Sequence, residues 1–188
     1  ASLRLDEKHL TQYCRCRMSY VQSFAPIEPA APCAPVAARV LILGSMPGAA
    51  SLAAGQYYAH PRNAFWRILG AVCHFPADAP YAARVAALQA AGIAVWDVLQ
   101  SCVRPGSLDT AIERSSEVPN DLAGLLVRHP GIGRICFNGG TAEAAFRRHV
   151  PATAAAGRQL LRLPSTSPAN ASWSFERKLA AWSAALEE

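Results

Sequence analysis

Hydrophobic positions along this chain fall into two patterns that alternate with each other. Four short apolar runs, at 39–43, 93–97, 134–137 and 159–163, have the length and content of buried strands. Between them, apolar residues recur every three or four positions, as in helices with one buried face. Strands that alternate with helices form a parallel sheet covered on both faces. The predicted fold class is therefore α/β, a three-layer α/β/α sandwich with a central, mostly parallel sheet of about four strands.

Helix boundaries follow from proline, glycine and capping residues. One predicted helix has an apolar face spaced i, i+3, i+4 and i+7, made of Phe65, Ile68, Leu69 and Val72. Pro61 suits the first position of that helix. A second helix is predicted over 80–91, with Gly92 as its stop, and residues 100–118 are predicted to form a long loop. Three later helices have predicted caps at Asn120, Thr141 and Ser172.

Length and charge narrow the class of protein. The 188 residues are 52% hydrophobic and 16% charged, which indicates one globular domain with a full core. Eighteen Lys and Arg against 13 Asp and Glu give a net charge of +5. That balance suits a polyanionic partner without proving one. Residues 1–17 are polar and are predicted to be a peripheral extension or an artificial addition, with 18–188 forming the single domain.

The cysteines and the apolar runs indicate the redox state of the thiols and the relation of the protein to metals and membranes. The six cysteines do not pair in a tight framework and the chain is not short, so we expect reduced thiols rather than disulfides. Their spacing matches neither a zinc site nor an iron–sulfur site, so we expect no metal and no cofactor. No apolar run is long enough to span a bilayer, and the first residues lack the apolar core of a signal peptide. We therefore expect a cytoplasmic protein with no membrane partner.

Polar and aromatic residues crowd into the segment after the first predicted strand. It reads Gly44-Ser-Met-Pro-Gly48, then Ser51, then Gln56-Tyr-Tyr-Ala-His-Pro-Arg-Asn-Ala-Phe-Trp66. In open α/β sheets, ligands bind in the crevice beyond the carboxyl ends of the strands. We therefore expect a binding crevice surrounded by Ser45, Tyr57, Tyr58, His60 and Asn63.

Four ordered blocks carry a resemblance to a known family. The first is the segment just quoted, and the others are Trp96-Asp-Val-Leu99 with Ser101-Cys-Val-Arg-Pro-Gly-Ser-Leu-Asp109, Cys136-Phe-Asn-Gly139, and Pro164-Ser-Thr-Ser-Pro-Ala-Asn170. Together they resemble the uracil-DNA glycosylase superfamily, and most of all its hypoxanthine (deoxyinosine) branch, over roughly 23–186. The resemblance implies a monofunctional DNA repair glycosylase. Such an enzyme extrudes a deaminated base, hypoxanthine or uracil, and hydrolyses its N-glycosidic bond to leave an abasic site.

The resemblance and side-chain chemistry suggest three catalytic residues. The branch places its catalytic Asn at Asn63, whose amide oxygen can orient a water but cannot take up a proton. The alternative is that Asn63 braces the start of the helix. Met46 stands where better-known branches have Asp or Asn, so Asn63 or another polar group has to act. Ser45 and His60 complete the set, although His60 could instead be a local hydrogen-bonding residue.

A second group is predicted to bind the extruded base. The resemblance places Tyr58 where an aromatic ring stacks on the base, with a rim position over the glycine-rich loop as the alternative. Asp97 would read an N–H edge of the base or cap a neighbouring loop. Asn138 would read the base or support the first loop. Gly44 and Met46 are predicted to line the base pocket.

A third group is predicted to contact the DNA strand. The last block resembles a loop that enters the minor groove, in which Ala169 would be a small wedge. A plain helix-capping loop is the alternative, and Ser165 stands where several branches have His or Asn. The full predicted DNA-binding set is Ser165, Ser167, Pro168, Ala169, Asn170, Ser51, Arg62 and Arg104.

Two other functions stay open from the sequence. A catalytically silent module that binds damaged DNA is compatible with Met46 and Ser165. A nucleotide-binding hydrolase on a similar sheet is disfavoured, because no glycine-rich phosphate-binding motif follows a strand. For the glycosylase, we expect DNA containing deaminated bases as the partner, a monomeric state and association with the nucleoid.

Overall fold

The computed structural model describes residues 20–29 and 37–186, so the predicted extension, 1–17, lies outside the described residues. The strands are, in chain order, Tyr20–Gln22 (β1), Val40–Gly44 (β2), Ile93–Asp97 (β3), Leu99–Val103 (β4), Val118–Pro119 (β5), Arg134–Asn138 (β6) and Gln159–Leu163 (β7). The α-helices are Ala49–Ala54 (α1), Phe65–Val72 (α2), Tyr81–Ala90 (α3), Leu122–Arg128 (α4), Gly140–His149 (α5) and Phe175–Leu186 (α6). Short 3-10 turns occupy Asp109–Ala111, Arg114–Ser116 and Ala152–Ala155.

The central sheet confirms the predicted fold class. Strands β3, β2, β6 and β7 lie side by side in that order, all parallel, and helices flank the sheet. A bridge between Ile27 and Val95 covers the outer edge of β3. The chain leaves β2 toward β3 on one side and later reaches β6 on the other side, so the sheet has a topological switch point at β2. A ligand site is expected where these strands end.

The helix that follows the polar segment begins later than predicted. Helix α2 starts at Phe65 rather than at Pro61. A tight turn replaces its expected first turn, because the backbone N–H of Asn63 donates to the carbonyl of His60. The apolar face of α2 is buried as predicted, apart from Val72, which is half-buried.

The caps of the later helices also differ from the prediction. The observed caps are Asp121, Gly139 and Ser174 in place of Asn120, Thr141 and Ser172. Asn120 cannot cap α4 because it is buried and its amide donates to the carbonyl of Asp97. Each predicted cap lies one or two residues from the observed cap, and the helices themselves lie where the apolar periodicity placed them.

The predicted long loop over 100–118 is wrong in part. Strand β4 pairs antiparallel with β1 and β5 in a separate three-stranded sheet. Helix α1 was not predicted either, since its six residues are too few to show a periodicity. The second sheet carries the chain from the end of β3 to the 3-10 turn at Asp109. Within the part of the chain described, no helix combines the length and hydropathy needed to cross a membrane.

Candidate active site

A cavity of about 540 Å³ opens where the parallel strands end. Its size lies in the range of small-molecule sites, roughly 300–1,000 Å³. All four strands contribute to its wall, because Gly44 ends β2, Asp97 ends β3, Asn138 ends β6 and Ser165 follows β7. The predicted site residues that line it are Gly44, Ser45, Met46, Ser51, Tyr58, His60, Asn63, Asp97, Asn138, Ser165, Ser167, Pro168, Ala169 and Asn170. Arg62 and Arg104 lie outside this lining.

Asp97 is a buried carboxyl group in the wall of the cavity. Its side chain is 3% exposed, and its Oδ2 accepts a hydrogen bond of 2.6 Å from the hydroxyl of Ser23. A Cβ at residue 44 would collide with Asp97 Oδ1, so only glycine fits there. Burial raises the pKa of Asp97 to about 7, the bond from Ser23 opposes this rise, and the charge of Asp109 adds to it. Near neutral pH the group can therefore accept or donate a proton.

Tyr58 presents a buried hydroxyl to the same wall. It has a positive φ of 55°, an uncommon backbone conformation for a bulky residue. One face of its ring stacks on Phe65, with 3.8 Å between centroids. Burial and the charge of Asp97 raise the pKa of Tyr58. The nearby side chain of Asn138 opposes that rise in pKa. The hydroxyl itself is buried and has no hydrogen-bond partner among the described residues. Stacking on the extruded base stays a prediction.

Asn63 braces the start of helix α2, as its alternative role foresaw. Its Oδ1 accepts the backbone N–H of Phe65 at 3.0 Å. The oxygen keeps a second lone pair that could hold a water, so the catalytic role stays a prediction. His60 takes part in the same turn, because its Nδ1 accepts the backbone N–H of Arg62 at 3.1 Å. In the neutral ring this leaves Nε2 as a hydrogen-bond donor.

One rim of the cavity is held by a buried arginine. We call residues 104–109 the Arg104 rim. The Arg104 side chain is 0% exposed, and its guanidinium donates to the carbonyls of Met46, Pro47 and Gly106. This corrects the prediction that Arg104 contacts a phosphate, because a guanidinium surrounded by carbonyls has no surface to offer. Instead, Arg104 joins its rim to the loop after β2.

Asp109 is a second carboxylate of the cavity, and the sequence analysis missed it. Its Oδ2 accepts a hydrogen bond of 2.6 Å from Ser45, and its Oδ1 lies 3.7 Å from the Arg104 guanidinium. Burial raises the pKa of Asp109, and both of these partners oppose the rise. The available signal was its place at the end of the second family block. Among the residues described, no group of three Asp, Glu, His or Cys side chains is placed to hold a metal ion.

The opposite rim is joined to β6 by an amide. We call residues 164–170 the Thr166 rim. Asn138 bonds twice to Thr166, since its Nδ2 donates to Oγ1 at 2.9 Å and its Oδ1 accepts the backbone N–H at 2.8 Å. The carbonyl of Thr166 then accepts the N–H of Ala64, just before α2. Asn138 therefore supports the last loop, not the first as its alternative role supposed. Thr166 was not foreseen as a site residue.

Short-range hydrogen bonds also hold the Thr166 rim, and the indole N–H of Trp182 donates to the carbonyl of Pro164 at 3.0 Å. Ser165 Oγ accepts the N–H of Ser167 at 3.2 Å, and Asn170 Nδ2 donates to the carbonyl of Ser165 at 3.1 Å. Lys178 lies beneath, 5% exposed, and its amine donates to the carbonyl of Ser167 at 3.3 Å. Desolvation lowers the pKa of Lys178. DNA contacts from this rim stay predictions.

Two other predicted DNA-binding residues belong to neither rim. Ser51 is buried, and its hydroxyl accepts the N–H of Ala59, so it holds the loop that carries His60. Arg62 is exposed on the turn before α2. A DNA contact from either residue stays a prediction.

Known proteins match most of this chain. The sequence profile of the Uracil DNA glycosylase superfamily matches residues 32–187. A hypoxanthine DNA glycosylase of Methanosarcina acetivorans is 36% identical over 141 residues, 74% of this chain and 85% of the relative. Another, of Methanosarcina barkeri, is 34% identical over 150 residues, 79% of this chain and 90% of the relative. A solution NMR structure described as a candidate uracil DNA glycosylase from Methanosarcina acetivorans aligns with a TM-score of 0.70 at 29% identity, covering 90% of this chain and 99% of that one. These matches confirm the resemblance carried by the four sequence blocks, and the chain belongs to the uracil DNA glycosylase superfamily.

Proposed function

We propose that this protein is a DNA glycosylase that hydrolyses the N-glycosidic bond of a deaminated base, hypoxanthine or uracil, extruded from DNA. The observation that carries the proposal is the convergence of polar side chains from all four parallel strand ends on one cavity, with the Asn63 turn in its wall. The names of the two Methanosarcina relatives, both hypoxanthine DNA glycosylases, support it. The products would be the free base and an abasic site for base excision repair.

The cavity offers groups for each part of the cleavage step. As the bond between C1′ and the base lengthens, the sugar becomes oxocarbenium-like and the base leaves with the electron pair. In our proposal, the amide oxygen of Asn63 orients the water that attacks C1′, and the proton that this water loses passes through solvent to the departing base. Asp109, with the hydroxyl of Ser45 donating to it, supplies negative charge opposite the developing cation. Together, Asn63 and Asp109 would compensate for the lack of a polar side chain at residue 46, since Met46 can neither orient nor activate a water.

Recognition of the base would rest on Asp97 and Tyr58. An ionised Asp97 accepts an N–H from hypoxanthine or uracil, whereas adenine would present a lone pair at that position. An unpaired buried polar group costs about 1–3 kcal/mol, so discrimination against adenine of roughly tenfold to a hundredfold is expected. The ring face of Tyr58 that does not contact Phe65 would stack on the base.

Excision assays test the proposal. Oligonucleotides that contain hypoxanthine, uracil, xanthine or a thymine mismatch are incubated with the protein, and abasic sites are then cleaved with alkali. We expect strand cleavage at hypoxanthine or uracil, and a loss of about a hundredfold or more in single-turnover rate for Asn63→Ala. Asn63→Asp is the matched control, because its carboxylate can still accept the N–H of Phe65 and hold a water. Binding without cleavage by the wild type would instead support the silent DNA-binding module.

We further propose that the protein acts as a monomer on nucleoid DNA in the cytoplasm. The proposed roles of Asn63, Asp97 and Asp109 need no residue from a second copy, and the net charge of +5 suits a nucleic-acid partner. Sedimentation analysis with and without DNA would show one protein chain per lesion. A dimer that forms before DNA is added would contradict the monomeric state.

A further inference from the structure

Leu108 is a large apolar side chain at the edge of the cavity. It is 58% exposed. The structure exposes five large apolar residues in its described part, namely Tyr20, Leu52, Leu108, Val118 and Val127, and of these Leu108 alone lines the cavity. A single exposed leucine is common on protein surfaces, so exposure by itself decides nothing. The case for a function of Leu108 rests on its position at the cavity and on the hydrogen bonds that hold the backbone around it.

The backbone around Leu108 is anchored on both sides. Before it, the hydroxyl of Ser107 accepts the N–H of Ala49 at 2.9 Å. After it, Asp109 accepts the hydroxyl of Ser45 at 2.6 Å. The carbonyl of Leu108 accepts the N–H of Ala111 at 3.0 Å, which begins the 3-10 turn. The Leu108 side chain therefore projects from a backbone segment that hydrogen bonds hold in place, and this segment cannot move away without breaking several of these bonds.

The opposite rim has no comparable side chain at its tip. Ala169 is exposed there but carries only a methyl group, and its N–H is bonded to the hydroxyl of Ser167. A duplex from which a nucleotide has been extruded holds a gap in its base stack. Proteins that open a base step commonly insert Leu, Ile, Met or Phe into it. Leu108 has the size for this insertion, and Ala169 does not.

We propose that Leu108 enters the base stack of the duplex and occupies the space that the extruded nucleotide leaves. The inference rests on the proposed glycosylase function and names the contact by which that site opens double-stranded DNA. Burial of the leucine between bases would offset part of the cost of unstacking. The benefit exists only where a stack has to be opened. Leu108 should therefore matter for duplex substrates and be dispensable for single strands.

The test compares single-turnover excision of hypoxanthine from a single strand, from a duplex opposite cytosine, and from a duplex with a less stable mismatch. For Leu108→Ala we expect a loss of roughly tenfold to a hundredfold opposite cytosine, a smaller loss at the mismatch, and a single-strand rate within about twofold of the wild type. Leu108→Met should keep most of the duplex rate, because methionine also fills a base step. Val127→Ala is the matched control, since Val127 is equally apolar and 79% exposed but does not line the cavity.

A second readout does not depend on excision. In a duplex with 2-aminopurine beside the hypoxanthine, binding of the wild type should raise the fluorescence as the stack opens, and binding of Leu108→Ala should not. Equal losses on duplex and single strand would indicate a structural role and overturn the inference, as would an unchanged duplex rate. If the wild type excises nothing from any substrate, the glycosylase proposal fails, and the fluorescence comparison then decides the role of Leu108 alone.

Discussion

The two rims of the cavity are built in different ways. The Arg104 rim is held by one buried guanidinium that reaches the carbonyls of Met46 and Pro47, 58 and 57 positions away in the sequence. The Thr166 rim has no such single anchor. It is held by bonds between residues two to five positions apart and by separate bonds from Asn138, Lys178 and Trp182. Removal of a buried charged anchor leaves all its carbonyl partners unpaired at once. Short-range hydroxyl and amide bonds can instead exchange with water at little cost. We infer that the Arg104 rim is the fixed wall and the Thr166 rim the adaptable one.

The rims also differ in charge. Asp109 belongs to the Arg104 rim, and its charge contributes to the raised pKa of Asp97. No carboxylate lies on the Thr166 rim, and the amine of Lys178 supports it from below. In the proposed mechanism, the acidic side holds the charge that stabilises the sugar cation and also Leu108, whereas the neutral side holds the predicted strand contacts of Ser165, Ser167 and Asn170.

The largest effect should come from Arg104→Met. The change leaves three carbonyls without their donor in a buried site, so the free energy of unfolding should fall by about 3–5 kcal/mol, and excision should fall with it. Urea denaturation followed by circular dichroism measures the loss. Arg104→Lys should restore only part of it, because an ammonium lacks the fork of a guanidinium. Arg62→Met, at an exposed position, is the control and should change stability by less than about 0.5 kcal/mol.

Asn138→Ala should have a smaller effect on the Thr166 rim. It removes both hydrogen bonds to Thr166, which is buried, at a cost of about 1–3 kcal/mol in the free energy of unfolding. Asn138→Asp keeps an acceptor for the backbone N–H of Thr166 and should lose less. The same denaturation assay applies to both variants. A cost for Asn138→Ala equal to that of Arg104→Met would remove the distinction between the rims.

The pH dependence should follow Asp97 on the acidic side. Its pKa is about 7 in the folded protein and about 4 when unfolded, so its contribution to stability is complete below about pH 4 and is lost as the pH rises through about 7. If the ionised form of Asp97 reads the N–H edge of the base, the rate of hypoxanthine excision should rise as the pH passes through about 7. Asp97→Asn should flatten both profiles. A wild-type rate that falls through pH 7 would mean that the protonated carboxyl acts as a donor.

The smallest effect should come from Lys178→Met. The amine makes one hydrogen bond, to the carbonyl of Ser167, and it is almost fully buried. We expect a stability change within about 1 kcal/mol and an unchanged salt dependence of duplex binding, because a buried amine releases no counterion. Arg62→Ala is the comparison, and it should lower the slope of log affinity against log salt by about one. A reduced slope for Lys178→Met would show that the amine reaches a phosphate.

Local sequence patterns determined the framework of this protein. The four parallel strands lie where short apolar runs were found. Every residue of β2 and β3 is buried, and a strand buried on both faces requires apolar residues at nearly every position. Strand β7 lies at the edge of the sheet, where Gln159 and Arg162 are exposed. Gly44, Asp97 and Asn138 could be placed at one edge of the sheet since each ends a parallel strand. The ordered blocks also identified the family. All these features depend on neighbours within a few residues or on chain order.

The tertiary structure decided which polar groups are free to act. Arg104 is chemically suited to contact a phosphate. In the structure, carbonyls of residues far away in the sequence surround its guanidinium, so it holds the rim in place instead. Asn138 is drawn to Thr166, and Asp109 and Leu108 reach the cavity only because β4 folds into a second sheet. A hydrogen bond between residues far apart leaves no periodic trace in the sequence. Periodicity therefore located the cavity, while the long-range pairing of donors and acceptors decided how its rims are held.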